Sequence, residues 1–123
     1  MGVMLQAFYW DCPRVEQKEF QWWEYICQQV PLLAKVGFTS LWLPPVHKAA
    51  NLNGPSMGYD PYVYYDLGEF DQKGTIPTWF GTRSHLLELV QTAHSHGLSL
   101  IADVVINHNS GADAQEVNPI TGQ

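Results

Sequence analysis

Apolar residues follow two rhythms along this chain. Val3 to Phe8 is a short, nearly continuous apolar run that stops at Trp10-Asp11-Cys12-Pro13, which predicts a buried strand ending in a loop. From Phe20 to Val36 the apolar positions fall at Trp22/Trp23, Ile26, Val30 and Leu33, the spacing of one helix face, and Gly37 stands where left-handed backbone closes a helix. Pro31 lacks an N–H and crowds the carbonyl four residues back, so this helix is expected to kink or split near Val30.

Ser40 to Leu43 is a second short apolar run, and Pro44-Pro45 ends it because neither residue can donate to a ladder. From Val46 to about Gly81 the chain is rich in Gly, Pro, Asn and Tyr, far longer than the usual connection of about 2 to 6 residues, and excess loop of this kind signals function. Arg83 to His96 reads as a second helix, with Leu86, Leu89, Val90 and Ala93 on one face, Thr82 as N-cap and Gly97 past the end. His85 stands where a capping box would have Glu or Gln. Leu98 to Ile106, LSLIADVVI, reads as a strand buried on both faces of a parallel sheet, interrupted by Asp103.

The order β-α-β-loop-α-β defines an α/β fold with right-handed crossovers and a parallel sheet. A dinucleotide-binding sheet would place a glycine-rich turn after the first strand, and Tyr9 to Pro13 offers none. A (β/α)8 barrel fits better, but it needs eight such units and about 250 residues. The chain is therefore expected to be the N-terminal part of a TIM barrel, about three β/α units within a longer protein.

Composition narrows the partners. The net charge is −6 and the six Lys and Arg are scattered singly, so no basic stripe exists to hold nucleic acid or an anionic membrane. No apolar run approaches the ~20 residues of a membrane span, and Met1 does not open a signal-peptide pattern, so the compartment stays undefined. Cys12 and Cys27 have no CxxC or zinc spacing and are expected to be unpaired thiols. Aromatic residues make up 13%, with five Trp and six Tyr, which suits sugar rings and core filling equally.

In parallel barrels the ligand site lies at the C-terminal strand ends. Pro44-Pro45, the long loop, and Asp103, Asn107 and His108 should therefore share one rim. Taken bare, an Asp in a strand is more often a paired structural acid, and a His after a strand is more often solvent-facing. Trp10 and Trp42 at strand ends could touch sugar, with core filling the favoured reading.

These residues also carry a family resemblance. DVVINH, Asp103 to His108, resembles the first signature region of the α-amylase family, and GYDPYVYYDLGEFDQKGT, Gly58 to Thr75, resembles the loop before it. MLQAFYWD, SLWLPP and EVNPITG match in the expected order, with archaeal and liquefying bacterial members most alike. Val63 departs from the Asp that relatives often have there.

The resemblance implies a retaining endo-hydrolase of α-1,4 bonds in starch or glycogen, with a nucleophile and a general acid/base about 5 Å apart. It places those carboxylates on later strands, so no catalytic residue is expected in this chain. Asp11, Asp60, Asp66, Glu69 and Asp71 match no catalytic position. Carried over residue by residue, Tyr59 resembles the aromatic platform under the sugar at the cleavage subsite and His108 the histidine that hydrogen-bonds it. Asp103 resembles an acid supporting the site through a charge-assisted bond, and Asn107 an amide-oxygen ligand of a structural calcium. Residues 1–106 are then barrel and 107–123 the start of a domain inserted after the third strand. The implied partner is an α-glucan, and the implied full-length enzyme a monomer. An α-glucanotransferase or α-glucosidase shares the visible motifs, and a non-catalytic α-glucan-binding chain is the alternative of another class.

Overall fold

The computed structural model describes residues 1–13, 21–52 and 55–122. Three strands, β1 (Met4–Gln6), β2 (Ser40–Leu43) and β5 (Ser99–Ala102), form a sheet in the order β1-β2-β5. Both pairings are parallel, with Leu5 opposite Leu41 and Leu41 opposite Leu100. The two crossovers contain α1 (Trp22–Val36) and α2 (Arg83–Ser95), which pack on each other. This is the successive β/α arrangement expected of the opening of a barrel, and among the described residues the sheet does not close.

The core lies between sheet and helices. Trp23, Val30, Leu41, Leu89 and Ala93 are wholly enclosed, and Ile26, Leu43, Phe80, Leu86 and Leu98 nearly so. The helical periodicity therefore located the buried face of both helices. Each fully buried side chain of this size contributes about 1.5–3 kcal/mol, so the α1 and α2 stripes outweigh their modest helix propensity.

Helix ends follow their signals. Gly37 caps α1 in the left-handed region at φ 108°, its N–H bonding the carbonyls of Ala34 and Leu33. Thr82 Oγ1 accepts from the His85 N–H at the start of α2, and the His85 ring nitrogen Nδ1 lies 3.0 Å from the same hydroxyl. The expected beginning of the first helix at Phe20 lies outside the described residues.

Two expectations are corrected. The first helix does not split at Pro31: α1 runs through it to Val36. Val30 is buried against the core while Pro31 is exposed, so the defect faces water and packing on the other side holds the turns together. The strand expected over Leu98 to Ile106 is only Ser99–Ala102. It is not buried on both faces, since Ile101, Val104 and Ile106 are 43%, 63% and 82% exposed. Burial on two faces and two edges requires neighbours, and β5 is an edge strand of the described sheet.

The long loop is more ordered than its composition suggested. It contains β3 (Lys48–Ala49) and β4 (Pro61–Val63), paired antiparallel. Two buried charges organise it. Lys48, 2% exposed, donates from Nζ to the carbonyls of Thr75, Ile76 and Pro77 at 2.8 to 2.9 Å. Asp66, fully buried, accepts from the N–H groups of Gly68, Glu69 and Phe70 and from Gln72 Nε2.

Candidate functional site

The C-terminal ends of β2 and β5 open onto one rim, where the loop 46–81 and the chain after β5 meet. Asp103, one residue beyond β5, is the hub. Its Oδ2 accepts from the Tyr59 hydroxyl at 2.7 Å and from Trp42 Nε1 at 3.2 Å. Burial raises the Tyr59 phenol to about 12, with the bond to Asp103 and its negative charge adding to the shift. The phenol is therefore a firm donor at any physiological pH.

Tyr59 is half-buried and lies parallel to Trp10, with centroids 6.4 Å apart and 8° between planes. Trp10 is 68% exposed, which corrects its reading as core. Trp42 is half-buried, packs edge-on to Phe8 at 5.4 Å and bonds Asp103, so it belongs to core and site together. The reason is position: a residue at a strand's end has one side in the barrel layer and the other on the rim.

His108 is exposed, and its Nε2 lies 2.8 Å from the Tyr59 carbonyl. A carbonyl only accepts, so Nε2 carries the proton, and Nδ1 is the acceptor of the neutral ring. The Tyr64 hydroxyl donates to the backbone carbonyl of His108. Further along, the Ser110 N–H donates to the Pro61 carbonyl at 2.7 Å, Asn109 Nδ2 to the Tyr62 carbonyl at 3.1 Å, and Lys73 pairs with Asp113 while lying over the Tyr62 ring. These bonds lay the segment after β5 along β4, although residues 107–122 contain no helix or strand.

The sugar-site expectation thus finds Tyr59, Asp103 and His108 in one bonded group. Asn107 is exposed beside it. Its amide oxygen is of the kind a hard cation takes, but among the described residues no group of three or more His, Cys, Asp or Glu is placed to hold a metal. Both thiols are free: Cys12 is buried and bonds the Tyr9 carbonyl at 2.8 Å, and Cys27 bonds Thr92.

Three residues went unread in the sequence. Asp66 had a usable signal, because Asp-Leu-Gly-Glu is the spacing of an Asx-type turn closed by a side-chain carboxylate. Lys48 and His47 had none, since the carbonyls that receive them lie 11 to 29 residues away in the chain.

A parallel β/α sheet with an aromatic, acid-anchored rim defines a class that comparison with known proteins names. The family model described as the α-amylase catalytic domain matches residues 16–118. The α-amylase of Geobacillus stearothermophilus is 40% identical over 124 residues, covering 96% of this chain and 22% of its own length. The cytoplasmic α-amylase of Escherichia coli K12 is 38% identical over 114 residues, covering 93% and 22%. Among solved structures, alternansucrase in complex with isomaltononaose superposes with a TM-score of 0.78 at 25% identity, covering 92% of this chain and 10% of that one. The chain belongs to the α-amylase family of catalytic domains. It spans about a fifth of the length of the curated relatives it matches.

Proposed function

We propose that this chain supplies one wall of the active site of an α-amylase that hydrolyses internal α-1,4-glucosidic bonds of starch-type glucans with retention. The observation that carries the reading is the bonded group Tyr59–Asp103–His108 at the strand ends. Tyr59 offers a half-exposed ring for the C–H face of a glucose unit. Asp103 locks that ring through its hydroxyl, and His108 meets a sugar hydroxyl with the ring nitrogen not engaged by the Tyr59 carbonyl. The nucleophile and the general acid/base come from residues outside this chain.

Asn107 contributes an amide oxygen to a structural calcium whose other ligands also lie outside the chain, and residues from 107 onward open an inserted domain. A bound calcium would fix the loop carrying His108 by neutralising and orienting oxygen donors.

A second reading is transfer of glucosyl units to another sugar, because an α-glucanotransferase shares the visible motifs. Incubating the full-length protein with maltoheptaose and resolving the products separates the two. Shorter maltooligosaccharides alone support hydrolysis, and products longer than the substrate support transfer. No change in the sugar overturns both.

A further inference from the structure

Beside the Gly58 turn that leads into Tyr59 lies a buried histidine that the catalytic reading leaves unused. His47 follows Pro44-Pro45 at the end of β2 and is 5% exposed. Its Nε2 lies 3.2 Å from the Gly58 carbonyl, which can only accept, so Nε2 carries the proton. Burial pushes the ring's pKa below the usual histidine value, which keeps it in the neutral form with one N–H to give.

Gly58 is the residue before Tyr59 and has φ +90°. A Cβ there would lie 2.8 Å from Pro45 Cβ, so only glycine lets the turn press onto the end of β2. On its other side the His47 ring stands edge-on to Tyr64, with centroids 5.7 Å apart. The Tyr64 hydroxyl donates to the His108 carbonyl, and His108 Nε2 returns to the Tyr59 carbonyl. Four contacts and the Gly58–Tyr59 peptide link therefore close a circuit: His47 to Gly58, Tyr59 to His108, His108 to Tyr64, and Tyr64 back to His47. A cleft of about 410 Å³ lined by His47, Tyr64, Asp103 and Val104 opens beside it.

We infer that His47 is a positioning residue that sets the separation and orientation of Tyr59 and His108 through Gly58 and Tyr64, and with them the fit of the sugar they contact. The role of those two residues rests on the carbohydrate reading above. His47 touches no substrate. It acts by holding the Gly58 turn with its N–H while its ring packs edge-on against Tyr64, two tasks that an apolar side chain of similar size cannot combine.

The test compares His47→Leu and His47→Gln in the full-length protein. The Gln amide reproduces a donor at the Nε2 position, whereas Leu retains bulk alone. With maltoheptaose, His47→Leu should lower kcat/KM about 10- to 100-fold, the loss that misplacement of site groups by about an ångström produces, and His47→Gln should recover most of it. Unchanged kinetics in His47→Leu, or equal losses in both variants that track their melting temperatures, overturn the inference. An independent arm uses protein labelled with ¹⁵N-histidine. The wild type should show His47 as the Nε2–H tautomer, and the His108 resonances should move in His47→Leu and return in His47→Gln. An Nδ1–H tautomer at His47, or an unmoved His108, overturns the inference. If the wild type leaves every α-glucan intact, the proposed function fails, and the labelled-histidine arm still decides the role of His47.

Discussion

Tyr59 and His108 can be separated by what each variant removes. Tyr59→Phe keeps the ring and deletes the bond to Asp103, so a stability loss of about 1–2 kcal/mol is expected in urea unfolding, with KM nearly retained. Tyr59→Ala also removes the ring proposed as the sugar platform, and KM for maltoheptaose should rise in the full-length protein. His108→Ala should lower kcat/KM about 100-fold if its bond strengthens toward the transition state, with circular dichroism unchanged. Kinetics equal to the wild type would remove His108 from the site. Asp103 is not a clean probe, because its Oδ2 serves Tyr59 and Trp42 together and its loss strands two donors.

Among the elements, α1 and the loop 46–81 make opposite demands. Pro31 is exposed within α1, where proline costs about 3 kcal/mol relative to alanine in a helix interior and offsets about 0.4–1 kcal/mol of that by stiffening the unfolded chain. Pro31→Ala should therefore stabilise the protein by about 2–2.5 kcal/mol, read as a rise in melting temperature. A fall would mean that the local geometry of α1 is fitted to proline. The loop instead depends on single side chains. Asp66→Ala strands three backbone N–H groups and Gln72, and a loss of about 3 kcal/mol is expected, the scale of breaking a buried polar network. Protease cleavage between Gly68 and Gly74 should increase in parallel. Lys48→Met preserves length and volume but abandons the Thr75, Ile76 and Pro77 carbonyls, with a similar outcome.

For the whole molecule, stability should fall with acid in two stages. Asp66 is buried, which alone would raise its pKa, but its backbone and Gln72 hydrogen bonds prevail and lower it. Its bonds therefore contribute fully above the unfolded value of about 3.9 and are lost as pH falls through the lower folded value. Burial lowers His47 as well. The unfolded ring binds a proton more readily than the folded one, so stability declines once pH drops below about 6.5. Urea midpoints of the full-length protein measured between pH 7.5 and 3 should show both stages, and His47→Gln should flatten the first. Exposed Val3, Met4, Ile101, Val104 and Ile106 lie on or beside the edge strands β1 and β5. The 123-residue chain by itself should bind an apolar dye and associate in sedimentation, because open edges and apolar surface recruit partners. A monomeric chain with a sharp cooperative melt would contradict this.

What the sequence determined by itself was everything with a local period or a local terminator. The α1 and α2 stripes, Gly37 and Thr82 at helix ends, and the stop at Pro44-Pro45 are decided within a few residues, and the ordered motifs from Met4 to Asp103-His108 sufficed for the family resemblance. Only the tertiary structure decided that Pro31 faces water and leaves α1 whole, that Leu98 to Ile106 ends as a strand at Ala102, and that Trp10 lies exposed beside Tyr59. It alone joined His47, Tyr64 and His108 into one circuit around Tyr59 and gave Lys48 its three carbonyls. Burial and hydrogen-bond partnership are properties of neighbours in space, and those neighbours sit tens of residues apart, where no sequence period connects them.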